Sequence, residues 1–414
     1  MSESATTPKK TAKRVNLRTP EVMEVVQSQV EDHYRSRVVD YIRYSGNHLQ
    51  AKGLTVKLAK AFGFCYGVER AIDLAYASAK HFGGRKIYLL GEIIHNPEVN
   101  DQLREMNITS LQEGENGWDV SHVTEEDVVI VPAFGSPVDV MNTINDIGCY
   151  VVDTTCGDVM SVWKRIRQYQ KESVTSIIHG KASHEETKAT SSRALGEDKK
   201  GHYLVVLTLS DVDYVCDYIR HGGNKEEFLK KFEGSMSPGF DPDLHLQAVG
   251  VANQTTMMRN ETEEVQRRIQ KAIVDRFGES KLEKHFRFFD TICGATQERQ
   301  DALEKMLRDP MDLLIVVGGY NSSNTSHLAE MGEKVLPTYF IKNGAKMESP
   351  HLIHHFNQHI NQEEQTTDWL PEGPITVGVT AGASCPNNLI EETITRLFEF
   401  RGVDVIELLP QEFR

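Results

Sequence analysis

Nine short apolar runs punctuate this chain, and each ends in a turn of small, polar or sulfur-bearing residues. A short apolar run bounded by turn signals is the pattern of a buried strand. Three of these runs lead to a cysteine beside a glycine: LTVKLAKAFGFCYG to Cys65, VVDTTCG to Cys156 and FRFFDTICG to Cys293. Behind each cysteine the pattern changes to apolar residues at helical spacing, as in ATQERQDALEKML, so each cysteine is predicted on a strand-to-helix turn. A neighbouring glycine lets the backbone come close to a ligand. One such cysteine would be an ordinary half-buried residue; three in the same setting form a repeat.

The other six runs complete the repeat. KIYLLGEIIHN, VTSIIHGKASHEE and MDLLIVVGGYNSSN carry His95, His184 and Ser322, which lie 30, 28 and 29 residues beyond their respective cysteines. VVIVPAFGS, LQAVGVANQTT and ITVGVTAGAS then end at Ser136, Thr256 and Ser384. Each repeat therefore reads strand–helix–strand–helix–strand, the signature of parallel sheets faced by helices. The predicted organisation is an α/β fold: an extension over 1–54, then repeats over 55–150, 151–287 and 288–414. Hydrophilic stretches at 217–243 and 342–369 read as insertions or surface helices, and EVMEVVQSQVEDHYRSRVVDYIR in the extension reads as one charged helix. Ligands of open α/β sheets bind at the carboxyl ends of strands, so three copies about a pseudo-threefold axis would gather all nine turns at one central site.

Composition narrows the function. The 414 residues suffice for two or three domains, and 39% hydrophobic with 26% charged content is ordinary for a globular protein. A net charge of −14 argues against a broad nucleic-acid surface, and no apolar run approaches the roughly 18 residues of a membrane span. The start, MSESATTPKKTAKRVNLRT, has no apolar core of a secretory signal; it is expected to be a flexible tail of a bacterial cytoplasmic protein, with a plastid transit segment as the alternative. Six widely spaced cysteines without a CxxC pair are expected to be reduced thiols.

Three convergent thiolates fit either zinc or a cubane iron–sulfur cluster with one iron left open, and the glycines beside them favour the anionic cluster. Ser322, Ser323 and Asn324, at a strand-to-helix junction, offer hydroxyls, an amide and free N–H groups to a phosphate or diphosphate. His95 and His184 could add donors. Glu186 is the acidic residue closely following such a histidine and a candidate proton donor, with Thr255 and Thr256 placed to orient that proton. Cys385 follows Ser384 without a counterpart in the other repeats, and the i,i+4 pair His355 and His359 is expected on a surface helix.

In order along the chain, GFCYGVERAI, GEIIHNPEV, DTTCGDV, SHEET, NQTTM, DTICGATQERQ, GGYNSSNTSHLAE and TAGAS resemble the 4-hydroxy-3-methylbut-2-enyl diphosphate reductase family over roughly residues 55–400. The resemblance implies a trefoil of three α/β domains around a [4Fe–4S] cluster held by Cys65, Cys156 and Cys293 with one iron open. It implies that His95, His184, Thr255, Ser322, Ser323, Asn324 and Ser384 contact the substrate, and that Glu186, with Thr255 and His184, delivers the proton. The implied reaction removes the substrate hydroxyl as water with two electrons from a ferredoxin or flavodoxin, giving isopentenyl and dimethylallyl diphosphate. Phe134 stands where many bacterial members carry histidine, as it does in the plant and cyanobacterial branch. Two other readings of the same cysteines stay open: a non-enzymatic electron carrier or redox sensor, and a redox-neutral dehydratase.

Overall fold

The structure, a computed structural model, describes residues 11–114, 117–196, 198–289 and 291–414. The first ten residues of the expected tail, and Asp290 of the DTICG turn, lie outside them. The chain divides into two units. One comprises Ala77–Ile93 and Leu103–Cys293 with the described N-terminal residues up to Arg18, the other Thr19–Tyr76, Ile94–Gln102 and Gly294–Arg414.

The first unit holds two sheets whose central strands are parallel. Strand Ile87–Leu90 lies between Ile108–Leu111 and Val128–Val131, and Tyr150–Asp153 follows on the far side of Val128–Val131. In the second sheet Thr175–His179 lies between Tyr203–Val206 and Val249–Asn253, and Phe286–Phe288 follows. The second unit repeats that order: Leu313–Val317 between Thr338–Ile341 and Ile375–Ala381, then Leu54–Leu58, with His48–Ala51 added antiparallel at the edge. Runs such as VVIV, TSIIH and LLIVV are buried at every position, because helices cover both faces of a parallel strand.

The sheets are assembled out of step with the sequence repeats. Each sheet takes its second- and third-run strands from one repeat and its cysteine-leading strand from the next, with the third repeat closing onto the first through Leu54–Leu58. Sequence boundaries drawn at 55, 151 and 288 therefore fall within the strands Leu54–Leu58, Tyr150–Asp153 and Phe286–Phe288, which pair with strands of the preceding repeat. Each sheet also has an extra parallel strand outside the ninefold pattern, Ile108–Leu111, Tyr203–Val206 or Thr338–Ile341.

Three further expectations are corrected. Within the presumed tail, Lys13–Arg14 pairs with Tyr150–Asp153 as an edge strand, Lys13 N–H donates to Cys149 O at 2.8 Å, and Leu17 is buried. The single charged helix is two, Pro20–Tyr34 and Arg37–Tyr44, because Ser36 caps the second by accepting from Val39 N–H at 2.9 Å. Residues 342–369 form a three-stranded antiparallel sheet, Met347–Ser349, Leu352–Asn357 and Gln362–Thr367, in place of a surface helix. His355 therefore sits on a strand beside Thr366 Oγ1, and His359, in the following turn, faces Glu333, which dissolves their helical metal spacing.

Candidate functional site

Every predicted turn follows the carboxyl end of a parallel strand. Cys65, Cys156 and Cys293 each directly precede a helix, Tyr66–His81, Gly157–Lys171 and Gly294–Met306. All three are half-buried, whereas Cys149, Cys216 and Cys385 are buried. Burial pushes the Cys149 thiol up to about 11 and the Cys216 thiol up to about 12, and raises that of Cys385 as well. Those three are inert thiols at neutral pH, while Cys65, Cys156 and Cys293 stand half-buried at helix starts. Beside Gly157 and Gly294 a side chain would project into open space, leaving room next to Cys156 and Cys293 for a bulky group. A half-buried cysteine at a helix N-terminus with adjoining space is a setting that an anionic group can enter.

One interlock recurs at all three cysteine turns. Cys156 N–H donates to Ala133 O at 2.8 Å, and Cys65 N–H donates to Ala383 O at 3.2 Å. Thr291, two residues before Cys293, bonds through its hydroxyl to the Asn253 side-chain oxygen. In each case the partner lies at the end of the preceding repeat's third-run strand or in the loop after it, in keeping with the stagger of the sheets. Two residues not singled out in the sequence reinforce the Cys65 turn. Arg299, 4% exposed, donates through Nε and Nη2 to Gly63 O at 3.2 and 2.5 Å and through Nη2 to Phe64 O at 3.1 Å. Tyr34 of the extension packs edge-on against Phe64, ring centroids 5.5 Å apart. The Arg299 signal was readable: it falls with Thr296, Leu303 and Met306 on the buried face of its helix. Tyr34 carried no comparable signal.

In the first unit His184 caps helix Glu185–Leu195, and its Nδ1 accepts from Glu186 N–H at 3.2 Å, which leaves the neutral ring's proton on Nε2. The Glu186 carboxylate is 2% exposed and accepts from Thr255 N–H at 2.6 Å and Thr255 Oγ1–H at 2.8 Å. Thr256 is turned elsewhere, its hydroxyl accepting from Gln254 Nε2 at 2.7 Å. Gln254 Oε1 in turn accepts from Lys181 N–H and Thr187 Oγ1–H, both at 3.1 Å, holding the loop that carries His184. Phe134 meets the His184 ring edge-on, centroids 6.4 Å apart, and adds no polar donor there.

In the second unit Ser322 caps helix Ser323–Glu333, Ser384 Oγ–H lies 3.3 Å from Ser322 Oγ and 3.2 Å from His95 O, and Asn321 Nδ2 lies 3.4 Å from His95 Nδ1. Asn324 Oδ1 accepts from Ala383 N–H at 2.8 Å, while its buried Nδ2 has no acceptor among the described residues. The loops approach this closely because residue 319 is glycine: a Cβ there would collide with His95 O. Hydroxyls, an unused amide donor and a helix N-terminus make an anion cradle. The structure thus groups Glu186, Thr255 and His184 in one unit and His95, Ser322, Ser323, Asn324 and Ser384 in the other.

Comparison with known proteins places these motifs. The LytB protein family matches residues 56–398. A 4-hydroxy-3-methylbut-2-enyl diphosphate reductase of Gloeobacter violaceus is 47% identical over 383 residues, covering 91% of this chain and 90% of the relative. The reductase of Thermosynechococcus vestitus is 45% identical over 384 residues, covering 92% and 94%. Among solved structures, one of (E)-4-hydroxy-3-methyl-but-2-enyl diphosphate reductase, the terminal enzyme of the non-mevalonate pathway, is 27% identical with a TM-score of 0.51, covering 83% of this chain and 99% of that one. The corresponding reductase of Plasmodium falciparum, 21% identical with a TM-score of 0.58 over 82% of this chain and 86% of its own, shares the fold.

Proposed function

As this chain belongs to the LytB protein family, we propose that it is the reductase that converts 4-hydroxy-3-methylbut-2-enyl diphosphate, two electrons and two protons into isopentenyl or dimethylallyl diphosphate and water. The observation that supports this most is the buried Glu186–Thr255 pair beside His184, because neither an electron carrier nor a redox sensor needs a positioned acid.

Cys65, Cys156 and Cys293 would hold the [4Fe–4S] cluster, which when bound supplies electron transfer and a Lewis-acidic iron. The chain's own residues do the rest. Ser322, Ser323, Asn324 and Ser384 bind the diphosphate at the start of helix Ser323–Glu333, with His95 and His184 as further donors. Because Phe134 supplies no polar group, the diphosphate relies on those donors. Glu186 donates a proton to the leaving hydroxyl, which departs as water. Thr255 fixes the carboxyl by its two hydrogen bonds and contacts the substrate. A ferredoxin or flavodoxin supplies the electrons one at a time. In this reading the three sheets, each drawing strands from two repeats, serve as the three α/β domains, and each repeat contributes one cysteine. Among the described residues no helix is long and apolar enough to cross a membrane. The proposed compartment is the bacterial cytoplasm, with the plastid stroma as the alternative.

The test is anaerobic turnover of 4-hydroxy-3-methylbut-2-enyl diphosphate with a reduced one-electron donor, following products by NMR. Both diphosphate products should form, and only with donor present. A cluster-loaded protein that consumes no substrate would refute the reductase; consumption without donor would favour the redox-neutral dehydratase. Glu186→Gln should bind substrate and retain iron while losing about a hundredfold or more in turnover, the usual contribution of a general acid.

A further inference from the structure

Beside helix Gly157–Lys171 the first unit contains a cleft of about 780 Å³, and neither Glu186, His184 nor Thr255 lines it. Its wall carries four cations, Arg14, Arg167, Lys171 and Arg193, against two carboxylates. Both carboxylates are already engaged: Asp153 Oδ1 accepts from Thr155 N–H and Oγ1–H at 3.0 and 2.6 Å, and Asp198 Oδ1 accepts from Lys200 N–H and Gln170 Nε2, each at 3.3 Å.

Arg193 is the unusual member. It is 8% exposed, its guanidinium stacks 3.2 Å over the Trp163 ring, and Nη1 donates to Ser136 O at 2.8 Å and Ala189 O at 2.6 Å. Its buried Nε has no acceptor, and neither has the hydroxyl of Ser136, 2% exposed, among the described residues. Burial, with Arg167 adding to it and Asp153 opposing it, pushes the Arg193 guanidinium down to about 9. A buried donor without an acceptor is costly, and the two residues that carry these donors both line the cleft. Ser136 ends a predicted third-run loop, yet the proposed reaction has no use for it. Met141, Met160 and Trp163 supply an apolar side to the same cleft, whose volume suits a small organic molecule.

We propose that this cleft is a second binding site, for an organic phosphate or diphosphate ester whose anionic group meets Arg193 and Ser136 and whose short apolar tail lies against Met160 and Trp163. Arg14, Arg167 and Lys171 gather the anion at the rim. The site stands on this unit's geometry alone and does not depend on the reductase reading.

Trp163 is one of three tryptophans, so cluster-loaded protein labelled with 5-fluorotryptophan gives three ¹⁹F resonances, with Trp163 assigned by Trp163→Phe. Dimethylallyl diphosphate and inorganic diphosphate are titrated separately. The Trp163 resonance should shift saturably with both, inorganic diphosphate binding about tenfold more weakly for want of the apolar tail. Arg167→Gln and Ser136→Ala, neither of which is expected to alter turnover or folding, should each weaken the titration about tenfold. Glu186→Gln should leave it unchanged. The proposal is overturned if Trp163 does not respond up to millimolar anion, if Arg167→Gln and Ser136→Ala titrate like the parent, or if Glu186→Gln abolishes the response, which would assign it to the reductase site.

Discussion

Among individual residues, the six cysteines separate by environment. The Cys149 and Cys216 thiols, lifted to about 11 and 12, and the fully buried Cys385 present almost no thiolate below pH 9. Cys65, Cys156 and Cys293 are half-buried at helix starts. Iodoacetamide at pH 8 on folded, cluster-free protein should therefore add three labels, at Cys65, Cys156 and Cys293, as read by peptide mass spectrometry. Labelling of Cys216 or Cys385 at a comparable rate would contradict this division. Thr255 allows a second residue-level test. Thr255→Ser keeps both hydrogen bonds to Glu186 and should keep turnover, whereas Thr255→Val keeps the N–H bond alone and should lose tenfold or more in kcat. Equal rates for the two variants would remove the hydroxyl from the site. The repeat aligned the three cysteines in the sequence, whereas it ended on Thr256, and the family resemblance singled out Thr255. Partners were less legible: Thr255 and Thr256 are equivalent on paper, and only the folded loop turns the first to Glu186 and the second to Gln254.

Among elements, legibility followed the length and purity of the apolar pattern. Fully buried strands such as Leu313–Val317 announce themselves; Thr338–Ile341, half polar at an edge, does not. The His-rich segment misled for a physical reason. Alternation in LIHHFN and QEEQTT is masked because both faces of that small sheet are partly polar, so charge and spacing imitate a helix. Next to the 217–243 insertion lies a histidine pair that no pattern revealed. His202, ahead of strand Tyr203–Val206, stacks on His245 at the end of helix Pro242–His245, ring centroids 3.4 Å apart and 18° from parallel. Burial holds both below the ordinary histidine range, and His202 pushes His245 the same way. The fold thus prefers two neutral rings, while the unfolded chain takes up protons near pH 6.5. Stability is full above that value and falls as pH drops through it. Tm should decline between pH 7.5 and 5.5, and His202→Gln should flatten the decline. An unchanged slope in that variant would clear the pair of any part in it.

For the whole molecule, the stagger between repeats and sheets carries the most consequence. Each cysteine turn is bonded to the third-run strand end or loop of the preceding repeat, so no repeat completes a sheet or a cysteine turn by itself. The sequence shows the periodicity, but the neighbour across a parallel sheet is a long-range choice that local pattern does not encode. A cluster held by one cysteine from each repeat would tie together elements that the sheets already join pairwise. A group that binds the folded chain and not the unfolded one adds RT ln(1 + [L]/Kd) to stability, about 4 kcal/mol at a thousandfold excess over Kd. Anaerobic removal of the cluster by an iron chelator should therefore lower Tm by several degrees in a single transition. Cys65→Ala, Cys156→Ala and Cys293→Ala should each reproduce that lower Tm with iron largely lost, whereas Cys385→Ala should keep its iron even though it loses stability through its buried cavity. If one of the first three variants kept a full complement of iron and sulfide, that cysteine would not be a ligand, and the threefold assignment would fail with it.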